Sequence, residues 1–69
     1  MESLFDYEAA AREAGLSDQE LRGICALVRE DFPRDEMLFE LHVMRICIAI
    51  KEGRTTVARV IGHESAMAA

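Results

Sequence analysis

Basic side chains are in short supply. Eight lysines and arginines stand against 13 aspartates and glutamates, a formal charge of -5. The whole-molecule field therefore repels a phosphate backbone and gives no non-specific hold on nucleic acid. Cysteine is nearly absent as well, with only Cys25 and Cys47, which lack the paired spacing of a zinc site and are too few for a disulfide framework. Each falls inside an apolar helical pattern. That reads as a reduced core thiol, since a reactive cysteine needs an accessible, electropositive setting. No secretory signal pattern is visible, so the expected location is the cytoplasm. A membrane span is missing too. The longest apolar run, MLFELHVMRICIAI at residues 37–50, is broken by Glu40, His42 and Arg45 and falls short of the about 20 residues a bilayer requires. Internal repeats, low-complexity tracts and long linkers do not occur.

What is present is apolar mass and helix propensity. A hydrophobic share of 51% in 69 residues excludes a disordered acidic tail, because such tails cannot offset the entropy of ordering. One domain is the most this length supports, and a chain so short buries a modest share of its surface, so a partner would add stability. Ala, Leu, Glu, Arg and Met dominate, while Gly15, Pro33 and Gly53 mark three breaks. The expected fold is all-α: a small four-helix domain over residues 1–62. It has three main helices and a short C-terminal one, arranged as antiparallel hairpins, and residues 63–69 form a frayed tail.

The first helix, residues 3–14, places Leu4, Tyr7, Ala11 and Ala14 on one face. Gly15 supplies the left-handed position that ends it, and Ser17 with Glu20 makes a capping box for the second helix. That helix, residues 18–31, carries Leu21, Ile24, Cys25 and Val28 on one stripe, with Phe32 extending it. Pro33 biases Phe32 away from helical geometry, and the chain restarts with Asp35 and Glu36 at the positive end of the next dipole.

The third helix, residues 34–52, is apolar on most sides. Met37, Leu41, Met44 and Ile48 form one stripe, while Phe39, Val43, Ile46, Cys47 and Ile50 cover much of the rest. Two thin partner helices cover one broad face and leave little chain for the other. The expectation is a homo-oligomer, a dimer in the simplest case, that packs this helix against its symmetry mate through Met37, Leu41, Met44, Arg45 and Ile48. Gly53 ends the helix after Lys51, and Thr55 or Thr56 caps a fourth, whose Val57, Val60 and Ile61 form an apolar edge to dock on the third helix or on a neighbour's copy.

The stretch AAAREAGLSDQEL, residues 9–21, has a further resonance. Ala11 is small where a second helix must cross closely, Gly15 follows four residues later, and Leu16, Leu21 and Ile24 fill the buried positions beyond. Over residues 7–26 this pattern resembles the helix-turn-helix of DNA-binding proteins. The resemblance implies base contacts from Gln19 and Arg22, with Arg54 and Arg59 contributing in a dimer. Asp18 and Glu20 stand beside that same helix start, however, and any tight helical corner makes the same steric demands. Charge balance and acidic start together rank a structural corner above a DNA reader.

Other constellations are thin. Lys51, Arg54 and Arg59 gather near His63, and the Gly53-Arg54-Thr55 turn is a conceivable anion site; cations at a helix end and on a solvated face explain the same residues. Glu36 and Glu40 share a face, but His42 lies about 200° around the helix from Glu40, so no di-iron pattern forms. His42 reads as an interface or solvent-edge residue. Arg45 reads as a stem laid over apolar surface with its head in water, the other option being an inward guanidinium matched by a carboxylate. The leading functional expectation is a non-enzymatic helical interaction module with no cofactor, metal or membrane partner, self-associating and open to a further protein partner. The alternative is a small DNA-binding regulator.

Overall fold

The computed structural model describes residues 5–62. Leu4, His63 and the tail expected to fray thus lie outside the described residues. Among those described there are four helices and no strand, with 72% of positions helical.

Side-chain caps set the boundaries. Helix α1 spans Tyr7–Glu13, starting later than the apolar pattern suggests because Asp6 accepts the amide of Ala9 at 3.1 Å and becomes the N-cap. It ends at Gly15, whose φ of +78° suits glycine. The amides of Gly15 and Leu16 donate back to the carbonyls of Arg12 and Ala11, a Schellman closure. Helix α2, Asp18–Asp31, opens with the full capping box: Ser17 Oγ accepts from the Glu20 amide at 3.1 Å while Glu20 Oε1 accepts from the Ser17 amide at 2.9 Å. It stops at Phe32, before Pro33.

Helix α3 spans Glu36–Lys51. It begins two residues after the expected position because Asp35 turns its carboxylate onto the Leu38 amide at 3.1 Å, leaving Arg34 in the connection. Gly53, with φ +81°, closes it through the same paired amide-to-carbonyl bonds, Gly53 to Ile50 and Arg54 to Ala49. Helix α4, Val57–Ile61, is capped by Thr56, which accepts from Arg59 at 3.1 Å.

The core is Ala11, Ile24, Val28, Phe39, Val43 and Cys47. Helix α3 contributes half of it and packs against both α1 and α2. Ala11 is buried on α1, which packs chiefly on α3 and touches α2 little. Tyr7 meets Phe39 edge to face, with ring centroids 6.0 Å apart. Two exposed ion pairs bridge α3 to its neighbours, Arg29 to Glu36 at 3.1 Å and Lys51 to Glu13 at 2.9 Å.

Helix α4 departs from expectation. It packs on α2 rather than on α3, and the reason is Gly23. A Cβ there would stand 2.8 Å from Ile61 Cδ1, so the missing side chain makes the seat for Ile61. Val60 and Ile61 rest against the main core from that side. No helix among the described residues is long and apolar enough to cross a membrane.

Candidate interaction surface

Successive residues of a helix turn by about 100°, so Phe39, Val43 and Cys47 share a sector of α3 about 80° wide, while Met37, Leu41, Met44 and Ile48 share another about 60° wide, centred about 130° away. The first sector is buried under α1 and α2. The second is not. Met37 is 52% exposed, and Leu41, Met44 and Ile48 are only partly covered. Of the five side chains expected at an interface, Met37, Leu41, Met44 and Ile48 thus share one side of α3, Met37 exposed and the other three half-buried.

Arg45 lies beside that stripe and is exposed; with Ile48 and Arg54 it lines a shallow depression. Its head is in solvent, and no carboxylate among the described residues pairs with it. His42, half-buried on the next flank, stacks on Phe32 with centroids 4.5 Å apart. Its Nδ1 is 2.9 Å from the Leu38 carbonyl oxygen. A carbonyl only accepts, so Nδ1 carries the proton in this contact.

The residues that the helix-turn-helix resemblance pointed to are scattered. Gln19 and Arg22 are exposed on α2, and Arg22 lines a groove together with Glu8 and Asp18. Arg59 lines a different groove beside Glu30 and Asp31. Arg54 pairs with Glu52 at 2.9 Å in a third place. Carboxylates accompany all three arginines, which weakens the local positive potential each one offers to a phosphate. The Gly53-Arg54-Thr55 turn leads only into the five-residue α4, whose cap position Thr56 already fills.

Both thiols are free. Burial pushes the Cys25 thiol above its ordinary range, with nearby Arg29 pulling down and Glu8 pushing up further. Burial likewise raises Cys47, with Cys25 adding to it. Thiols held protonated in this way are poor nucleophiles at neutral pH. Tyr7 is raised for the same first reason, desolvation, reinforced by Cys25 and by Glu8, Glu40 and Glu36. No group of three or more His, Cys, Asp or Glu side chains among the described residues is arranged to hold a metal ion.

Three contributors were not singled out by sequence reasoning. Glu40, noted there only as sharing a face with Glu36, is buried, and its Oε1 accepts from the Phe5 amide at 3.0 Å, tying the segment before α1 to α3. A carboxylate inside an apolar run was the available clue. Gly23, in the middle of an amphipathic helix, was another, because an interior glycine there needs a packing reason. Arg29 lays its guanidinium 3.6 Å from the centroid of the Phe39 ring.

Fold and surface together define a small all-α domain whose central helix is apolar on two faces, one inside and one outside. No protein-family model matches the chain, and comparison with curated proteins and with solved structures likewise finds no match.

Proposed function

We propose that the chain is a non-enzymatic helical interaction module that self-associates through α3. The observation that carries the reading is the outward stripe: Met37, the large hydrophobic left most in water, is continuous with Leu41, Met44 and Ile48 on a helix whose opposite sector already forms the core. Removing such a stripe from water contributes roughly 25 cal/mol for each Å² of apolar surface covered. A domain this small has little other reserve of stability. The half-buried Cys25 and the buried Cys47, both held protonated, are poor nucleophiles and leave the apolar stripe as the feature that supports a binding role.

Sedimentation across the micromolar range is the test. The native chain is expected to move from monomer toward dimer as concentration rises. Leu41→Glu, which sets a charge in the middle of the stripe, is expected to stay monomeric while keeping its helical circular dichroism. A native chain that remains monomeric throughout overturns the reading.

The corner between α1 and α2 supports a second reading, a small DNA-binding regulator, through the buried Ala11 and the exposed Gln19 and Arg22. Titration of duplex DNA at low salt separates the two. Binding that falls steeply with added salt and is lost in Arg22→Ala would favour it.

A further inference from the structure

Helix α4 is the least anchored element of the fold. It has five residues, none of them buried, and it packs on α2 with little help from α3. An element held by so few buried contacts opens ahead of the core. Its seat, by contrast, belongs to the core: Gly23 leaves a gap in the middle of α2, and Ile61 fills it. The seat is also longer than its occupant. At about 1.5 Å per residue α4 spans about 7.5 Å, whereas α2 runs on for about 12 Å from Gly23 to Asp31. Beyond Val60 the crease between α2 and α3 stays open as a groove of about 450 Å³ that Leu27, Val28 and Ile46 line with apolar surface. Glu30 and Asp31 are exposed along it, and among the described residues the cation that lines it is Arg59 of α4.

We propose that this crease is a binding groove for a basic amphipathic helix of another protein, and that α4 is its resident blocker. The resident shows what the groove takes. Ile61 occupies the gap at Gly23, Val60 lies along the apolar lining, and Arg59 stands on the acidic side. A longer helix with the same aliphatic pair after a basic residue repeats those contacts and adds the open part. There its apolar side chains cover Leu27, Val28 and Ile46, and its cations stand beside Glu30 and Asp31, a helix-in-groove arrangement. The chain's charge of -5 favours the approach of such a segment.

Occupation is gated, because α4 has to leave before another helix enters. The affinity seen by a partner is therefore reduced by the fraction of chains in which the crease is free. This surface is separate from the one proposed for self-association. Ile46 stands about 170° around α3 from the centre of the Met37, Leu41, Met44 and Ile48 stripe, so the proposal does not depend on a dimer forming there.

A labelled peptide tests the groove. It begins with residues 54–62 of the chain and continues for two helical turns with leucine and lysine at helical spacing. Fluorescence anisotropy reports its binding to the native chain and to Ile61→Asp, which unseats α4 by setting a carboxylate over Gly23. Ile61→Asp is expected to bind about tenfold more tightly than the native chain because its groove is free. Adding Gly23→Leu is expected to abolish that binding, and replacing the peptide's lysines with glutamates to weaken it. No binding to Ile61→Asp, or binding indifferent to Gly23→Leu, overturns the proposal. The gate is read on the native chain without any substitution. The Val60 amide, bonded to the Thr56 carbonyl at 3.0 Å, is expected to exchange through an opening that leaves α2 and α3 protected, and exchange only on global unfolding overturns the gate. A native dimer that Ile61→Asp abolishes and Leu41→Glu leaves intact would give the crease to the α4 of a second copy, and would overturn the proposal in that way.

Discussion

Glu40 shows how one polar atom can organise a small core. Its carboxylate is buried in α3 and takes the amide of Phe5, a donor that would otherwise be left partly out of water without a partner. Glu40→Ala removes the acceptor and leaves a gap, and is expected to cost about 1–3 kcal/mol of unfolding free energy. Glu40→Gln keeps an acceptor oxygen at the same reach and is expected to lose much less. Urea denaturation of the two variants reads the difference; equal losses would mean that volume, not the hydrogen bond, matters at this position. Gly23 is the complementary case. There the useful feature is an atom that is missing, and its role belongs to the helix it receives.

That helix, α4, contributes no fully buried residue of its own and depends on Ile61 reaching the surface of α2 above Gly23. Gly23→Leu fills the seat. The expected result is early loss of amide-exchange protection over Val57–Ile61, with protection of α2 and α3 retained, because the core they share with α1 does not involve that position. Elements of this chain were legible in the sequence where a local device decides them. The Ser17 and Glu20 box, Gly15 and Gly53 each announce a boundary through the hydrogen bond or backbone angle they alone supply. The starts of α1 and α3 were less legible. Asp6 and Asp35 are caps that look like ordinary acidic residues until their carboxylates are seen on the amides of Ala9 and Leu38. The docking of α4 was misread, since an apolar edge such as Val57, Val60 and Ile61 names no partner, and only the gap at Gly23 does.

For the molecule as a whole, the division of α3 into an inner and an outer face was partly visible in advance. Periodicity separated Met37, Leu41, Met44 and Ile48 from Phe39, Val43 and Cys47, but two apolar stripes on one helix carry no mark saying which goes inward. The choice comes from what α1 and α2 bring: Ala11, Ile24 and Val28 offer the shape that Phe39, Val43 and Cys47 fill, with Tyr7 and Arg29 closing over Phe39. Burial of that inner face also sets how the whole fold answers alkali. Cys25, Cys47 and Tyr7 all hold their protons more tightly when folded than their ordinary values allow. The unfolded chain releases those protons first, so this contribution is fully present below the ordinary thiol range, near about 8.5. It is lost as pH rises through the raised folded values. The urea midpoint is therefore expected to fall between pH 7 and strongly alkaline solution, and to fall less in Cys25→Ala.

Along α3, adjacent positions belong to different physical tasks. Val43 is enclosed by its own chain, and Met44, the next residue, faces away from it. A mutational library across this helix would then sort by phase. Changes at 39, 43 and 47 are expected to lower its abundance by exposing it to proteolysis, while changes at 37, 41, 44 and 48, on the face proposed to self-associate, are expected to spare abundance and to be read in its association state. In this sixteen-residue segment a single-residue insertion would turn every following position by about 100°, carrying Val43 and Cys47 out of the core and putting no apolar stripe in their place.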